Sequence, residues 1–437
     1  KDILFFCVKG KTFDGHDFAK EAIEKGAAAV VTEKDLGIEN QIIVDDTRKA
    51  YGEICASWYN HPERKLKLIG VTGTNGKTTM TSLIKEVLAK SGHRVGLIGT
   101  IRNEIMGEVF ETDKTSPLTK DYMELLSRMV KAGCDCAVME VSSFALEQQR
   151  IGPSHFRIGV FTNLTQDHLD YHGSFENYKA AKHMLFENSA LAVINADDEA
   201  AFGMVEGTDC KVITFSVNGD NSDYSAKNIR ISSDGVKYEL VSNSNIGRVK
   251  FAVPGNFSVY NSMGAAVCLV EMGLDFRAVL DALRLCTGVP GRMEVFRSAD
   301  GKRIAIVDYA HNKISYERFF ETIREEFPGK KIMIVFGSAG CKAIQRREEL
   351  GTLAGENCTY SIITEEDFGE EDVNKICREI GEFVGKAGGR YEIVTDREEA
   401  VKKAITLMDD DTILFIPGKG RETRLKRGLV YEDCLSD

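Results

Sequence analysis

The sequence predicts an α/β protein built on parallel sheets, and three observations support this fold class. Short apolar segments alternate with amphipathic helical segments from Leu66 onward, beginning with a strand over 66–72 and a helix over 77–91. A glycine-rich loop joins that strand to that helix. The alternation restarts after Pro290-Gly291-Arg292, as expected for a second α/β unit. Strands that alternate with helices usually form parallel sheets covered by helices on both faces.

Further segments follow the same pattern on either side of Leu66. Before it, apolar segments at 3–8, 28–31 and 41–44 surround a helical pattern over 17–25, and Asn60-His61-Pro62 forms a turn. After it, we predict the strands 94–100, 136–141, 158–164 and 190–195 and the helix 175–188. The second unit has predicted strands at 303–307, 331–336, 359–364, 391–394 and 412–417, with helices at 315–327, 371–384 and 398–408. Residues 222–253 lack helical periodicity and predict a β-rich insertion. The chain opens directly on a strand, so we expect the first unit to be incomplete at its start.

Length and composition limit the classes of function. A chain of 437 residues is long enough for two or three compact units, and we place their boundaries at 1–62, 63–292 and 293–437. The net charge of -11 argues against wrapping nucleic acid, and no apolar run is long enough to cross a membrane. The eleven cysteines form no CxxC pair, which argues against a zinc ribbon or a thioredoxin-type site. Reduced, buried thiols of a cytoplasmic enzyme are the expectation.

The loop Thr72-Gly73-Thr74-Asn75-Gly76-Lys77-Thr78-Thr79 predicts a phosphate site. Glycines let backbone N–H groups approach phosphate oxygens, and the start of a helix adds positive potential. Lys77 is placed to reach the β- and γ-phosphates, and the Thr78 hydroxyl to bind Mg²⁺. The strict form of this motif has a glycine at position 71, where this chain has valine.

Three polar residues after or between later strands have two interpretations each. Glu140 ends a strand and either binds Mg²⁺ or is a solvated strand-end acid. His168 lies in Asn163-Leu164-Thr165-Gln166-Asp167-His168-Leu169-Asp170-Tyr171-His172-Gly173, where helix capping is the simpler role, because histidine is an unusual magnesium ligand. Lys182, in Tyr178-Lys179-Ala180-Ala181-Lys182, is by default a surface charge on a helix.

These motifs together resemble the Mur ligases, and most of all their tripeptide synthetases, in the lysine-adding branch. The resemblance rests on the phosphate loop, on Met139-Glu140-Val141-Ser142-Ser143, on the His168 and Lys182 motifs, and on Asn195-Ala196-Asp197-Asp198. It continues through Gly255-Asn256-Phe257, Asn261, Gly291-Arg292-Met293-Glu294, Asp308-Tyr309-Ala310-His311 and Gly418-Lys419-Gly420, so it covers nearly the whole chain.

The resemblance implies three domains: a small N-terminal uridine-binding domain, a central ATPase with a phosphate loop, and a C-terminal Rossmann-like domain. It implies an ATP-dependent ligase of peptidoglycan precursor synthesis that activates a UDP-muramoyl-dipeptide as an acyl phosphate and joins it to an amino acid. We expect a monomer that binds no nucleic acid and does not insert into a membrane. Thr78, Glu140, His168 and Lys182 would bind Mg²⁺, with Lys182 carbamylated by CO₂. The implied ATP-binding positions are Gly73, Thr74, Asn75, Gly76, Lys77, Thr78, Thr79, Asn261, Arg292 and Asp308. The implied substrate positions are Lys11, Thr12, Thr115, Ser116, Ser142, Gln148, Arg150, Arg347, Glu366, Asp367, Gly418 and Glu422.

The chain departs from the family where the amino acid is selected. Members that add meso-diaminopimelate carry Asp-Asn-Pro-Arg, whose arginine binds the distal carboxylate, but this chain has Glu366-Asp367-Phe368-Gly369. These acids either favour the first turn of a helix or attract the side-chain ammonium of L-lysine or another diamino acid. Arg421 and Phe144 stand where relatives often have histidine. The alternatives are a divergent paralogue with another amino acid or acceptor, and a nucleotide-binding regulatory protein without ligase activity.

Overall fold

The computed structural model describes residues 3–10, 13–112, 114–341 and 344–437, and of Asp170 only the backbone. The chain divides into two compact units. The first runs to Lys227 and includes 240–247 and 260–283, and the second comprises 228–239, 248–259 and the residues from Arg284 onward. Within the described residues, no helix combines the length and apolar character needed to cross a membrane.

The first unit begins with a small parallel sheet and two helices. In chain order these are β1 (Ile3–Phe6), α1 (Ala19–Glu24), β2 (Ala27–Thr32), β3 (Gln41–Ile43) and α2 (Thr47–Trp58), and the strand order is β1-β2-β3. The predicted helix over 17–25 starts two residues late, because Asp14 caps a 3₁₀ turn over Gly15–Phe18. Asp46 caps α2 by accepting hydrogen bonds from the amides of Arg48 and Lys49.

The main sheet of the first unit follows the predicted alternation. Its elements are β4 (Lys67–Thr72), α3 (Lys77–Lys90), β5 (Val95–Ile98), β6 (Asn103–Ile105), β7 (Glu108–Phe110), α4 (Thr119–Lys131), β8 (Cys136–Glu140), α5 (Ser143–Glu147), β9 (Ile158–Phe161), α6 (Leu169–His172), α7 (Phe175–Glu187), β10 (Leu191–Asn195) and β11 (Lys211–Ser216). Eight of the eleven strands of this sheet lie in the order β11-β10-β9-β4-β8-β5-β6-β7. Pairing is parallel from β11 to β5, whereas β6 and β7 continue the sheet in antiparallel pairs that the sequence did not predict.

The central strand β4 fixes where the site lies. Its residues from Leu68 to Thr72 are buried, as expected for a strand covered by helices on both faces. In register, Val71 lies beside Glu140 at the end of β8, and Thr72 lies beside Phe161 at the end of β9. The carboxyl ends of three neighbouring strands therefore meet at one edge, where open α/β sheets bind ligands.

The β-rich insertion predicted over 222–253 is present, and two helices follow it. The strands of the insertion are β12 (Tyr224–Ser232), β13 (Gly235–Ser242) and β14 (Ile246–Phe251), and the helices are α8 (Asn256–Glu271) and α9 (Phe276–Leu283). The residues of β12, β13, β14 and α8 are divided between the two compact units.

The second unit contains a six-stranded sheet, of which the sequence predicted five strands and missed the first, at 294–297. Its elements are β15 (Glu294–Arg297), β16 (Ile304–Val307), α10 (Lys313–Glu326), β17 (Lys331–Phe336), α11 (Gln345–Asn357), β18 (Tyr360–Ile363), α12 (Val373–Lys386), β19 (Tyr391–Ile393), α13 (Arg397–Leu407), β20 (Thr412–Ile416), β21 (Arg424–Arg427) and β22 (Val430–Asp433). The order β15-β16-β20-β17-β18-β19 is parallel except for the pair β15/β16, and β21 and β22 form a separate hairpin.

Candidate active site

The loop between β4 and α3 has a backbone that only glycine permits at two positions. Gly73 and Gly76 have φ angles of 147° and 88°. A Cβ atom on Gly73 would lie 1.9 Å from Oγ1 of Thr162, and one on Gly76 would lie 2.5 Å from Oδ1 of Asn261. The predicted ATP-binding residue Asn261 therefore lies directly against the loop. Asn163 holds the loop from β9, since its side chain accepts from the Asn75 amide at 3.1 Å and donates to the Asn75 carbonyl at 3.1 Å.

Lys77 begins α3 and its side chain folds back over the loop. Its Nζ donates to the carbonyl oxygens of Gly73 at 2.9 Å and Thr74 at 2.8 Å. Gly76, at the N-cap of α3, has no side chain to accept hydrogen bonds from the first amides of the helix. Thr78 and Thr79 follow in the first turn. This arrangement has the geometry of an anion site at a helix N-terminus.

Glu140 is a buried carboxylate that joins three segments. Its side chain accepts from Thr78 Oγ1 at 2.8 Å, from the Thr100 amide at 2.7 Å and from Thr100 Oγ1 at 3.0 Å. Glu140 is only 1% exposed, so it is not a solvated strand-end acid. Thr78 and Glu140 therefore bring together a hydroxyl and a carboxylate oxygen, which are the kinds of ligand that Mg²⁺ prefers.

Lys182 is a buried residue and not a surface charge. It is 1% exposed on α7, and its Nζ donates to the Gly73 carbonyl at 2.8 Å and lies 4.5 Å from the ring centre of Tyr178. Burial and the nearby Lys77 lower the pKa of the Lys182 amine well below its usual value, while Asp167 acts in the opposite direction. An amine with such a pKa is available as a nucleophile.

His168 lies close to this network. It occupies the N-cap position of α6 in a left-handed conformation, with φ at 54°, but its side chain makes no capping hydrogen bond to that helix. Its ring meets the Phe144 ring edge-to-face with 5.1 Å between centroids. Its Nε2 lies 3.8 Å from Oδ2 of Asp167. Its role as a metal ligand stays a prediction.

Five of the predicted substrate residues, all in the first unit, form one hydrogen-bonded group next to Glu140. Ser116 Oγ donates to the Glu140 carbonyl at 2.9 Å and lies 3.2 Å from Ser142 Oγ. Arg150 donates to the Gln148 side chain at 2.7 Å and to the Ser116 carbonyl at 3.2 Å. Thr115 Oγ1 is 3.1 Å from Thr100 Oγ1. Lys11 and Thr12 lie outside the described residues.

Two residues of this network were not singled out from the sequence. Thr100 follows β5 and supplies two of the donors to Glu140. Tyr178 donates to or accepts from Thr74 Oγ1 at 3.2 Å and supports Lys182 with its ring. The position of Thr100 at the end of the predicted strand 94–100 was the available signal, because such positions share the edge of the sheet with the loop.

Arg292 and Asp308 are neighbours in the second unit. The Asp308 carboxylate accepts from the amides of Met293 at 2.6 Å and Ala310 at 2.7 Å. Burial raises the pKa of Asp308, and the positive charge of Arg292 opposes this shift. The Arg292 guanidinium lies over the Tyr309 ring at 4.4 Å. The two predicted nucleotide-contacting residues therefore belong to one cluster.

The acidic segment after β18 is largely neutralised by cations. Glu365 forms a bidentate pair with Arg427 at 2.6 and 3.0 Å, and Asp367 accepts from Lys419 at 3.0 Å. Among the described residues, no ion pair or hydrogen bond of the Glu366 carboxylate is found. Burial raises the pKa of Glu366, and the nearby Arg397 opposes the shift. The expected concentration of negative charge is therefore reduced to Glu366.

Gly418 and Glu422 lie beside this segment. A Cβ atom on Gly418 would lie 2.7 Å from Oε2 of Glu366, so a side chain here would collide with that carboxylate. Glu422 pairs with Lys419 at 2.7 Å.

The predicted substrate residue Arg347 and the arginine at the family's histidine position, Arg421, are both already paired with carboxylates. Arg347 is 2% exposed and donates to Glu371 at 2.6 and 2.9 Å and to Glu379 at 2.6 Å. Arg421 donates to both oxygens of Glu294 at 2.9 Å. A substrate would have to compete with these carboxylates for either guanidinium.

Comparison with known protein families identifies the chain. Residues 71–269 match the Mur ligase middle domain, residues 291–420 the Mur ligase glutamate ligase domain, and residues 1–59 the Mur ligase family catalytic domain. The protein belongs to the Mur ligase family.

Relatives of this Mur ligase share most of its length. UDP-N-acetylmuramoyl-L-alanyl-D-glutamate--2,6-diaminopimelate ligase of Clostridioides difficile is 37% identical over 97% of the chain and 88% of the relative. The enzyme of the same name from Halalkalibacterium halodurans is 38% identical over 96% of the chain and 87% of the relative. A solved structure of a ligase with that name has a TM-score of 0.70 at 29% identity and covers 99% of this chain and 90% of its own. Folylpolyglutamate synthase of Mycobacterium tuberculosis shares the fold alone, with a TM-score of 0.69 at 18% identity over 85% of this chain and 92% of its own.

Proposed function

We propose that this Mur ligase joins a diamino acid to UDP-N-acetylmuramoyl-L-alanyl-D-glutamate, with hydrolysis of ATP to ADP and phosphate. The observation that carries the proposal is the convergence of Lys77, Thr78, Glu140 and Lys182 at one edge of the main sheet. A regulatory nucleotide-binding protein has no need of a buried lysine beside its phosphate loop. Relatives with 37–38% identity over nearly the whole chain bear the name of this activity with diaminopimelate.

The residues present fit ATP and Mg²⁺. The glycines of the loop leave room for phosphate oxygens, and Lys77 can exchange a loop carbonyl for a phosphate. Thr78 and Glu140 offer hydroxyl and carboxylate oxygens 2.8 Å apart, which suits a hard cation. When bound, Mg²⁺ would neutralise negative charge on the phosphoryl group in transfer.

Lys182 is proposed to react with CO₂. Its unprotonated amine would form the N–C bond of a carbamate and release one proton, which converts a neutral side chain into a carboxylate-like anion. Lys77 lies close enough to Lys182 to lower the pKa of its amine. The same proximity would stabilise the carbamate through opposite charge. The carbamate oxygens, with His168, would complete the metal-binding set that the family resemblance implies.

The chemistry needs an activated carboxylate. Transfer of the γ-phosphoryl group to the side-chain carboxylate of D-glutamate gives an acyl phosphate. The amine of the incoming amino acid then attacks the acyl carbon, the C–N bond forms and phosphate leaves. Ser116, Ser142, Gln148 and Arg150 would position the muramoyl-dipeptide beside Glu140, and holding reactants in place accounts for much of the acceleration.

We propose L-lysine as the amino acid. A distal carboxylate, as in meso-diaminopimelate, must be paired when it is buried, because an unpaired charge costs several kcal/mol. The clamp position of the family is Gly369 here, and Arg347 and Arg421 are each paired with carboxylates. A lysine side chain would instead supply a cation to Glu366.

A phosphate-release assay tests both the ligase activity and the choice of L-lysine as the amino acid. The full chain is incubated with ATP, Mg²⁺ and UDP-muramoyl-L-Ala-D-Glu, and L-lysine, L-ornithine and meso-diaminopimelate are compared by kcat/KM. Glu366→Gln should lower kcat/KM for L-lysine, while the matched change Glu370→Gln, at an exposed acid nearby, should not. A preference for meso-diaminopimelate would refute lysine but not the ligase. Absence of phosphate release with every amino acid would refute the ligase itself.

A further inference from the structure

A cluster of three metal-ligating side chains lies at the opposite edge of the main sheet from the phosphate loop. His93 Nδ1 is 2.8 Å from Asp135 Oδ2 and 3.9 Å from Cys136 Sγ. One ligand atom from each residue lies within 4.8 Å of those of the other two. Cys136 begins β8, whereas Glu140 ends it, so the two sites are separated by the length of the strand, about 13 Å.

We propose that His93, Asp135 and Cys136 form a site for a divalent cation of borderline softness, of which zinc is the chemical type. Thiolate, imidazole and carboxylate are the three zinc ligands of proteins. Tetrahedral zinc, with bonds of about 2.3 Å to sulfur and about 2.0–2.2 Å to nitrogen or oxygen, places its ligand atoms roughly 3.3–3.6 Å apart. The observed separations of 2.8 and 3.9 Å lie on either side of this range, so side-chain movements of about half an ångström suffice.

The backbone holds the three residues in a fixed relation. Arg94, which follows His93, accepts a hydrogen bond from the Asp135 amide at 2.8 Å, and its own amide donates to Asp135 Oδ1 at 3.0 Å. The next residues pair in the sheet, with Val95 opposite Cys136. The ligands therefore come from two segments that the parallel sheet already joins, which lowers the entropy cost of forming the site.

Burial and charge determine what kind of site this is. Cys136 is fully buried, but His93 and Asp135 are partly exposed, which leaves a route for the ion and room for a water as fourth ligand. The cluster follows the carboxyl end of α3, where the helix dipole favours a cation. Burial and Asp135 raise the pKa of the Cys136 thiol to about 12, and the positive charge of the nearby Lys67 repels a cation, so the affinity should be below that of a four-ligand protein site. A bound ion would fix the turn after α3 to the start of β8.

Cobalt is the probe that tests the site, because a thiolate bound to Co²⁺ gives a charge-transfer absorption that Mg²⁺ sites lack. The full chain is stripped with a chelator, desalted and titrated with Co²⁺. The wild-type protein should take up one equivalent with thiolate-to-cobalt absorption and the visible bands of tetrahedral cobalt. Cys341→Ser, which removes an exposed thiol elsewhere, should behave like the wild type.

Cys136→Ser and His93→Gln should both lose the charge-transfer band. Zinc should raise the midpoint of thermal unfolding of the wild type and of Cys341→Ser, but not of His93→Gln. If Cys136→Ser fails to fold by circular dichroism, the partly exposed His93→Gln decides alone. Absence of the thiolate band in the wild type, or its persistence in His93→Gln, would overturn the proposal.

Discussion

Replacing Lys182 by methionine should abolish ligation and yet make the protein more stable. The buried amine is neutral in the folded state over a pH range in which the unfolded chain binds a proton, because burial and Lys77 lower its pKa from 10.5. Methionine fills a similar volume without an ionisable group. The Gly73 carbonyl that accepts from Lys182 also accepts from Lys77 at 2.9 Å, so the substitution leaves no buried acceptor without a donor.

Two opposing contributions set the change in the free energy of unfolding that Lys182→Met should cause. Loss of one hydrogen bond costs about 1 kcal/mol. Each unit by which folding lowers the pKa of Lys182 costs the wild type about 1.4 kcal/mol at a pH below the folded-state pKa of the amine and less above it. A pKa lowered well below the usual value therefore outweighs the hydrogen bond at neutral pH.

The direction in which stability changes with pH would show whether the lowered pKa of Lys182 is the cause of the difference between the two proteins. Between the lowered pKa and 10.5 the unfolded state binds more protons than the folded state, so wild-type stability rises with pH. The slope from this group is up to about 1.4 kcal/mol per pH unit. Lys182→Met lacks this slope, so its advantage over the wild type should shrink as the pH approaches 10.5 and vanish above it.

Urea unfolding in CO₂-free buffer, from about pH 7 to about pH 10, measures the difference. Lys179→Met serves as the control for removing a lysine from the same helix. Bicarbonate should then stabilise the wild type and leave Lys182→Met unchanged, because only the wild type has an amine to carbamylate. A Lys182→Met protein that is less stable than the wild type at every pH would refute the reasoning, since it would show that the lysine is charged and paired in the folded state.

Three further outcomes are expected. Lys77→Ala should abolish phosphate release while circular dichroism stays unchanged, because the phosphates lose their charged partner; wild-type turnover would contradict the phosphate-loop assignment. Glu326→Gln should raise the free energy of unfolding by roughly 1–3 kcal/mol above pH 7 and by nothing below pH 4.5, because burial raises the pKa of this carboxyl from 4.5 to about 7; a pH-independent difference between the two urea curves would contradict it. Arg347→Met should cost about 1.5–3 kcal/mol, since it removes the hydrogen bonds of a buried guanidinium to Glu371 and Glu379 and leaves the exposed Lys375 as their shared cation; a neutral effect on urea unfolding would contradict this.

Much of the fold follows from local patterns in the sequence. The apolar segments predicted strands such as 331–336 to the residue, and the loop from Thr72 to Thr79 indicated both a strand-to-helix junction and a phosphate site. The antiparallel strands β6 and β7 were missed, because three residues are too few to show periodicity.

The sequence indicated which residues the candidate site contains better than it indicated which of them are buried or paired with opposite charges. Tyr178, Ala181, Lys182 and Leu185 lie on one face of a helix at a spacing of three and four residues, so the burial of Lys182 was within reach of the pattern. The pairing of Glu365 with Arg427 was not, since 62 residues separate them and nothing local selects one arginine among many.

The carbonyl of Gly73 accepts from two amines, Lys77 and Lys182, and this sharing has a consequence for nucleotide binding under the proposed function. The two hydrogen bonds hold both long side chains against the loop, so ordering them would take less of the binding energy of a nucleotide. If Lys77 turned to a phosphate, the Gly73 carbonyl would still accept a hydrogen bond from Lys182 Nζ, and the loop would keep its shape.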